Sequence, residues 1–194
     1  MSVGSLAYRR NENAIKDGNA PEKYTRLVGH IPGHKILEAG AAEGVLALLL
    51  AKTGKLVTTV EKNAGRHRAA LELCRNWFAR DKDFVKPKYI NGAIGDHLDL
   101  LEGMDTFVAV RVIYYLGDDI DRIFARISDN VKNVVLCGNR NRAERYRSGV
   151  PDDADGPHNF YASIEGMTAL LKRHGYRIVS TVTEGDEIVV GYMD

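Results

Sequence analysis

The chain has 194 residues, enough for one domain with its own core, and its 44% apolar and 27% charged residues are ordinary for a globular protein. With 27 basic against 26 acidic side chains the net charge is +1, which removes any general electrostatic pull towards nucleic acid or an anionic membrane. No run of about eighteen apolar residues is there to span a bilayer, and Cys74 and Cys137 stand apart in apolar settings, so a soluble, reduced, cytoplasmic protein is expected.

Met1 to Ala20 is polar, with Arg9, Arg10, Asn11, Glu12 and Asn13 clustered, and reads as an arm or lid; residues 21–194 read as a single domain. Pro21 opens a short helix with Tyr24, Leu27 and Val28 on its apolar face, and Pro32-Gly33 ends it. Ile36 and Leu37 start a strand that turns through Gly40 and Gly44 into a helix, Val45 to Ala51, stopped near Gly54. A second apolar run, Leu56 to Val60, closes on Glu61. Ala64 to Arg80 carries Ala70, Leu71, Cys74, Trp77 and Phe78 at helical spacing.

Lys88 to Asn91 reads as a third strand, Gly92 to Asp96 as a turn, and Met104 to Val110 as a fourth strand fit for burial on both faces. Asp118 to Ile127 is a helix and Val131 to Cys137 a fifth strand. The polar segment Asn139 to Asn159 holds Arg140, Arg142, Arg145 and Arg147, then Asp152, Asp153, Asp155 and His158. Its arginines form no tidy helical stripe, so a solvated loop is expected. Ile164 to His174 is a helix, and Tyr176 to Thr183 with Glu187 to Met193 makes a hairpin around Glu184-Gly185-Asp186. Alternating strands and helices specify an α/β fold, doubly wound and mostly parallel, with helices on both faces and a C-terminal antiparallel hairpin.

The chemistry concentrates in the first strand-to-helix turn. Dinucleotide folds place Gly-x-Gly-x-x-Gly there so that a pyrophosphate can sit on the helix N-terminus. Here Glu38 and Glu43 flank Gly40, Ala42 and Gly44, and two carboxylates repel a pyrophosphate. A cofactor with a cationic end suits the turn better, with Glu38 facing an ammonium directly or through water. Glu61, at the end of the next strand, can accept hydrogen bonds from both hydroxyls of a ribose. S-adenosylmethionine meets these demands better than a nicotinamide dinucleotide.

The run Ile36-Leu37-Glu38-Ala39-Gly40-Ala41-Ala42-Glu43-Gly44 resembles the first motif of class I S-adenosylmethionine-dependent methyltransferases: an acidic residue, any residue, then Gly-x-Gly-x-Gly. Ala42 stands where Gly is common, a departure that is tolerated if its φ stays negative. Val60-Glu61-Lys62 resembles the family's acidic second motif, and the likeness spans Tyr24 to Asp194. It implies a Rossmann-like, seven-stranded sheet and S-adenosylmethionine as cofactor. Contacts are then expected from Glu38, Gly40, Ala41, Ala42, Gly44, Glu61 and Lys62, and from Ile94, Gly95 and Asp96 after the third strand. Asp96 matches the acidic residue that bonds the adenine amino group, and Ile94 would cover the adenine face; the same Asp also suits a turn cap.

After the fourth strand, Arg111 is expected to hold the cofactor carboxylate or an anionic substrate. Tyr114 and Tyr115 either stack on a planar substrate or pack under the next helix, and Arg140 and His158 are further acceptor-side candidates. Methyl transfer from a sulfonium is an in-line displacement governed by positioning, so no triad is required and none is evident. His97, His158 and Asp96 are the nearest candidate bases. Asn/Asp-Pro-Pro-Tyr/Phe is replaced by Arg111-Val-Ile-Tyr-Tyr, which disfavours amino methylation of adenine, cytosine or glutamine, and no metal-ligand spacing appears. The expected activity is methyl transfer to O or N of a small-molecule acceptor. The alternatives are a non-catalytic cofactor-binding or assembly protein of this fold, an RNA or protein methyltransferase, and an NAD-dependent oxidoreductase.

Overall fold

Strands Lys35–Ala39 (β1), Leu56–Glu61 (β2), Lys88–Asn91 (β3), Thr106–Val110 (β4), Asn133–Cys137 (β5), Arg177–Val182 (β6) and Ile188–Tyr192 (β7) form one sheet in the order β3-β2-β1-β4-β5-β7-β6. The structure is a computed structural model that describes residues 20–152, 158–183 and 185–194. The expected N-terminal arm, apart from Ala20, lies outside the described residues, as do Asp153, Asp155 and Glu184. β1 to β5 run parallel, and β7 lies antiparallel between β5 and β6, as the closing hairpin predicts.

The central strands are buried on both faces, hence their near-continuous apolar sequence. On one face, Phe107 and Ala109 of β4 join a cluster with Phe124 and Ile127 of helix α4 (Ile120–Asn130) and Leu170 of α6 (Ile164–Arg173). On the other, Ile36, Val108 and Val135 cluster with Leu27 of α1 (Glu22–Val28) and Leu46 and Leu50 of α2 (Val45–Lys52). Helix α3 (Ala64–Arg80) adds Cys74 and Trp77 against Val45 and Leu48. Each of the Val, Leu, Ile and Phe side chains among these contributes about 1.5–3 kcal/mol on burial. Asn63 fixes where α3 begins, since its side chain accepts from Gly65 and Arg66 N–H, and Ser163 does the same for α6 from Gly166 N–H.

One expectation is corrected: the Asn139 to Asn159 segment is not simply a loop, because Arg140–Arg147 forms helix α5. The Asn139 side chain accepts from Asn141 and Arg142 N–H, and Ala143 is buried. Arg140 pairs with Glu144 one turn on, at 2.9 Å, while Arg147 reaches Glu165 and Glu187 on other elements. Partners distant in sequence replace the missing apolar stripe. Elsewhere only edges differ. β4 starts at Thr106 because the Asp105 carboxylate accepts from His34 and Lys35 N–H, and a 3₁₀ turn over Gly117–Asp119 delays α4 to Ile120.

Parallel pairing brings the carboxyl ends of β3, β2, β1, β4 and β5 to one edge in that order. Ligands of open α/β sheets bind there.

Candidate active site

The turn from β1 to α2 has three alternating residues in the left-handed region: Gly40 (φ 71°), Ala42 (φ 49°) and Gly44 (φ 75°). The condition set for Ala42, a negative φ, is therefore not met. Alanine occupies a glycine conformation, at a cost of about 1–2 kcal/mol. The two glycines also lack side chains for packing reasons. A Cβ on Gly40 would collide with the Val112 side chain, and one on Gly44 would come within 2.8 Å of the Tyr89 ring. Ala41 is buried beside them.

Glutamates surround this turn. Glu61, 6% exposed, accepts from Ala42 N–H on Oε2 and from Asn63 N–H on Oε1, both at 2.8 Å. It therefore ties the turn to the end of β2, and each oxygen keeps a second lone pair for another donor. Glu38 is 2% exposed and its Oε2 has no hydrogen-bond partner. Burial, and then the negative charge of Glu61, push its carboxyl up to about 8. Glu38 sits opposite Thr59, and Thr59 opposite Tyr89, in a polar row across β1, β2 and β3. Burial also raises Glu43, with Arg66 3.9 Å away opposing it. Helix α1 closes on this acidic turn through Tyr24, whose phenol is pushed up to about 12 by burial, then by Glu43 and Glu38. Lys62, next to Glu61, is exposed.

Beyond β3, Ile94–Asp96 forms a 3₁₀ turn in which Ile94 is buried, Gly95 half-buried and the Asp96 side chain exposed. Asp96 caps no helix: the next 3₁₀ turn, Leu98–Leu101, starts from His97 without a side-chain cap, so the turn-cap reading fails. The His97 ring packs over Gly92.

At the end of β4, Arg111 has a partner within the chain. Its guanidinium already holds Asp186 of the closing hairpin, Nε at 2.8 Å and Nη2 at 2.7 Å, so two of its three nitrogens are engaged. Arg111 also adopts φ 57°, a strained conformation that persists only where the surroundings hold it, and the ion pair is one such restraint. Nothing near Arg111 in sequence signals Asp186, 75 residues on. Tyr114 is buried, and burial with the adjacent Tyr115 pushes its phenol up to about 12; Tyr115 is 52% exposed. Their ring centroids lie 4.6 Å apart.

The β5 side supplies residues that sequence reasoning underrated. Arg140 is exposed on its Glu144 pair, whereas Arg142 has its guanidinium carbon 5.4 Å from the Tyr114 ring centre and 5.6 Å from that of Tyr115. Arg142 Nη1 donates to Asn159 Oδ1 at 3.1 Å. His158 donates its backbone N–H to the Tyr114 carbonyl, and its ring Nδ1 lies 3.7 Å from Asp152 Oδ2. The structure thus gathers Tyr114, Tyr115, Arg142 and His158 and leaves Arg140 outside. A cavity of about 420 Å³ between α1 and the closing hairpin is lined by Lys23, Tyr24, Val110, Cys137, Asp186 and Ile188. Apart from Tyr24 and Asp186, the partner of Arg111, it borders none of the groups described above, so donor chemistry rather than cavity size identifies the site. Among the described residues no group of three or more His, Cys, Asp or Glu is disposed to hold a metal, and no helix is long and apolar enough to cross a membrane.

No protein-family model matches the chain, and no curated protein matches it by sequence. Solved structures do match. Magnesium protoporphyrin IX methyltransferase (ChlM) from Synechocystis PCC 6803 with bound SAH superposes with a TM-score of 0.67 at 14% identity, covering 100% of this chain and 90% of that one. The N-terminal domain of EvdMO1 with SAH bound gives 0.63 at 16% identity, covering 98% and 86%. Precorrin-6y C5,15-methyltransferase from Geobacter metallireducens GS-15 gives 0.63 at 12% identity, covering 90% and 89%. At such identities the likeness speaks to architecture, and with the strand order and the glycine turn it establishes that the chain has the class I S-adenosylmethionine-dependent methyltransferase fold.

Proposed function

We propose that this protein binds S-adenosylmethionine at the β1–β2 edge and transfers its methyl group to O or N of a small-molecule acceptor at the β4–β5 edge. The observation that carries this reading is Glu38: a buried carboxyl with an unpartnered oxygen, beside a turn ringed by two more glutamates. A pyrophosphate would bring further negative charge to this acidic turn, whereas the ammonium and sulfonium of this cofactor would favour the ionised form of Glu38. The SAM- and SAH-bound crystals of ChlM support it by analogy of fold.

Glu61, with lone pairs to spare, would hold the ribose; Ile94 and Asp96 would hold the adenine; Glu38 would face the amino group. When bound, the cofactor supplies a methyl group on positively charged sulfur. The chain's part is to align an acceptor with it and exclude water. A hydroxyl acceptor must also lose its proton, and His158, set beside Tyr114 with Asp152 on its Nδ1 side, would take it.

Calorimetric titration tests the pocket. S-adenosylmethionine should bind saturably and NAD should not; the reverse result ends this reading. Glu61→Gln, which removes one anionic acceptor, should weaken cofactor binding about tenfold or more. It should also lower the melting temperature, since Glu61 secures the turn through two backbone N–H groups. Release of S-adenosylhomocysteine across a panel of hydroxy and amino acceptors then separates an enzyme from a cofactor-binding protein without turnover.

A further inference from the structure

Of the arginines on α5, three make contacts that differ in kind. Arg140 pairs with Glu144, and Arg147 pairs with Glu165 and Glu187. Arg142, half-buried, has no carboxylate partner among the described residues. Its contacts are a neutral amide oxygen on Asn159 and the rings of Tyr114 and Tyr115. A guanidinium placed over aromatic rings keeps its charge and several in-plane N–H donors for a planar oxyanion. The platform is anchored: Tyr114 is buried and packed on Tyr115, while Tyr115 leaves half its surface open. Tyr114 and Tyr115 follow β4 and Arg142 follows β5, both on the ligand edge of the sheet.

We infer that the acceptor is a flat, conjugated small molecule carrying a carboxylate, its ring lying on Tyr115 and its carboxylate held by Arg142. The inference rests on the methyltransferase reading above and adds the acceptor's class. A carboxylate fits better than a phosphate monoester, because one guanidinium balances one negative charge. A phosphate brings about −1.5 to −2 at pH 7, and the nearby cation Arg111 is already committed to Asp186.

The probes are 2-naphthoate, its neutral counterpart 2-naphthylmethanol and the non-planar cyclohexanecarboxylate, titrated by ligand-observed NMR with S-adenosylhomocysteine present. 2-Naphthoate should bind about tenfold tighter than either comparison. Arg142→Met, which keeps an apolar stem, should abolish the preference for the acid over the alcohol, and Arg142→Lys should keep part of it. Tyr115→Leu should weaken both flat probes and spare the cyclohexane. Equal binding of the acid and the alcohol to the unaltered protein would overturn the inference, as would an undiminished preference in Arg142→Met. So would a single-stranded RNA oligomer that displaces 2-naphthoate and binds tighter. S-adenosylhomocysteine titrated alone keeps the two readings apart. If it binds the unaltered protein and each variant alike, a failed naphthoate result counts against the acceptor class; if it fails to bind the unaltered protein, the fault lies with the cofactor pocket.

Discussion

The two ends of the ligand edge are made from opposite charge and held by different means. At β1 and β2, Glu38, Glu43 and Glu61 surround a tight turn, and Glu61 is satisfied by backbone N–H groups within a few residues of the strand ends. At β4 and β5, Arg142 and Arg147 meet rings and carboxylates brought in from three other elements. The first end is local and acidic; the second is long-range and basic. A turn closed by its own backbone survives changes elsewhere in the fold, whereas the network that Arg147 assembles by ion pairs depends on each of them.

The strongest way to break that contrast is at Arg147. Its guanidinium donates to Glu187 at 2.7 and 2.9 Å and to Glu165 at 2.8 Å, and Glu187 also accepts from Ile164 N–H at the start of α6. Glu187 is 5% exposed, so Arg147→Met strands a buried carboxylate. The expected loss is about 3 kcal/mol in denaturant unfolding, at the low end for a broken buried pair because the guanidinium side is 40% exposed. Adding Glu187→Gln should restore part of it. The acidic end should not notice: S-adenosylhomocysteine affinity, measured where both proteins are folded, should stay within about twofold. A collapse of cofactor binding would show that the two ends are not independent.

That division also explains what could be read from the chain alone. The alternation of strands and helices, the acidic turn and Glu61 were legible because each is encoded in a short stretch, apolar run then glycine turn then carboxylate. Helix α5 was not, because its stability comes from Asn139 capping and from Arg147 reaching Glu165 and Glu187, which no spacing announces. Arg140 and Arg142 look alike in sequence, and only the fold tells that Arg142 faces the tyrosine rings while Arg140 closes a surface pair. The partner of Arg111 was hidden for the same reason: Asp186 arrives with the hairpin that fills the antiparallel edge.

A smaller effect sharpens the acidic end by pH. Glu38 is pushed up to about 8, so the folded protein binds its proton more tightly than the unfolded chain does. Its contribution is fully present below the ordinary carboxylate range near 4.5 and is lost as pH rises through about 8. Unfolding free energy should therefore fall by about 2 kcal/mol between pH 6 and pH 8 from this residue, and Glu38→Gln should remove that slope. A bound ammonium would favour the carboxylate. Cofactor binding at pH 7 should then release about one proton, read calorimetrically from buffers of different ionisation enthalpy. Binding without proton release would mean that Glu38 does not face the amino group.

The smallest expected effect isolates the turn itself. Ala42 holds φ 49° between two glycines of the same handedness, so Ala42→Gly should relieve about 1–2 kcal/mol of left-handed strain. Glycine gives back about 0.5–1 kcal/mol through the freer unfolded chain. The net gain is about 0.5 kcal/mol, a rise of about 1–2 °C in melting temperature for a chain of this length. Gly40→Ala goes the other way and further, because its Cβ meets the Val112 side chain as well as a positive φ. The Ala42 N–H still donates to Glu61 in the glycine variant, so cofactor affinity should hold or improve slightly. Opposite signs at two positions two residues apart would place the strain in backbone conformation. A loss of stability in both variants would mean instead that the Ala42 methyl packs usefully, and that the turn tolerates its conformation for that reason.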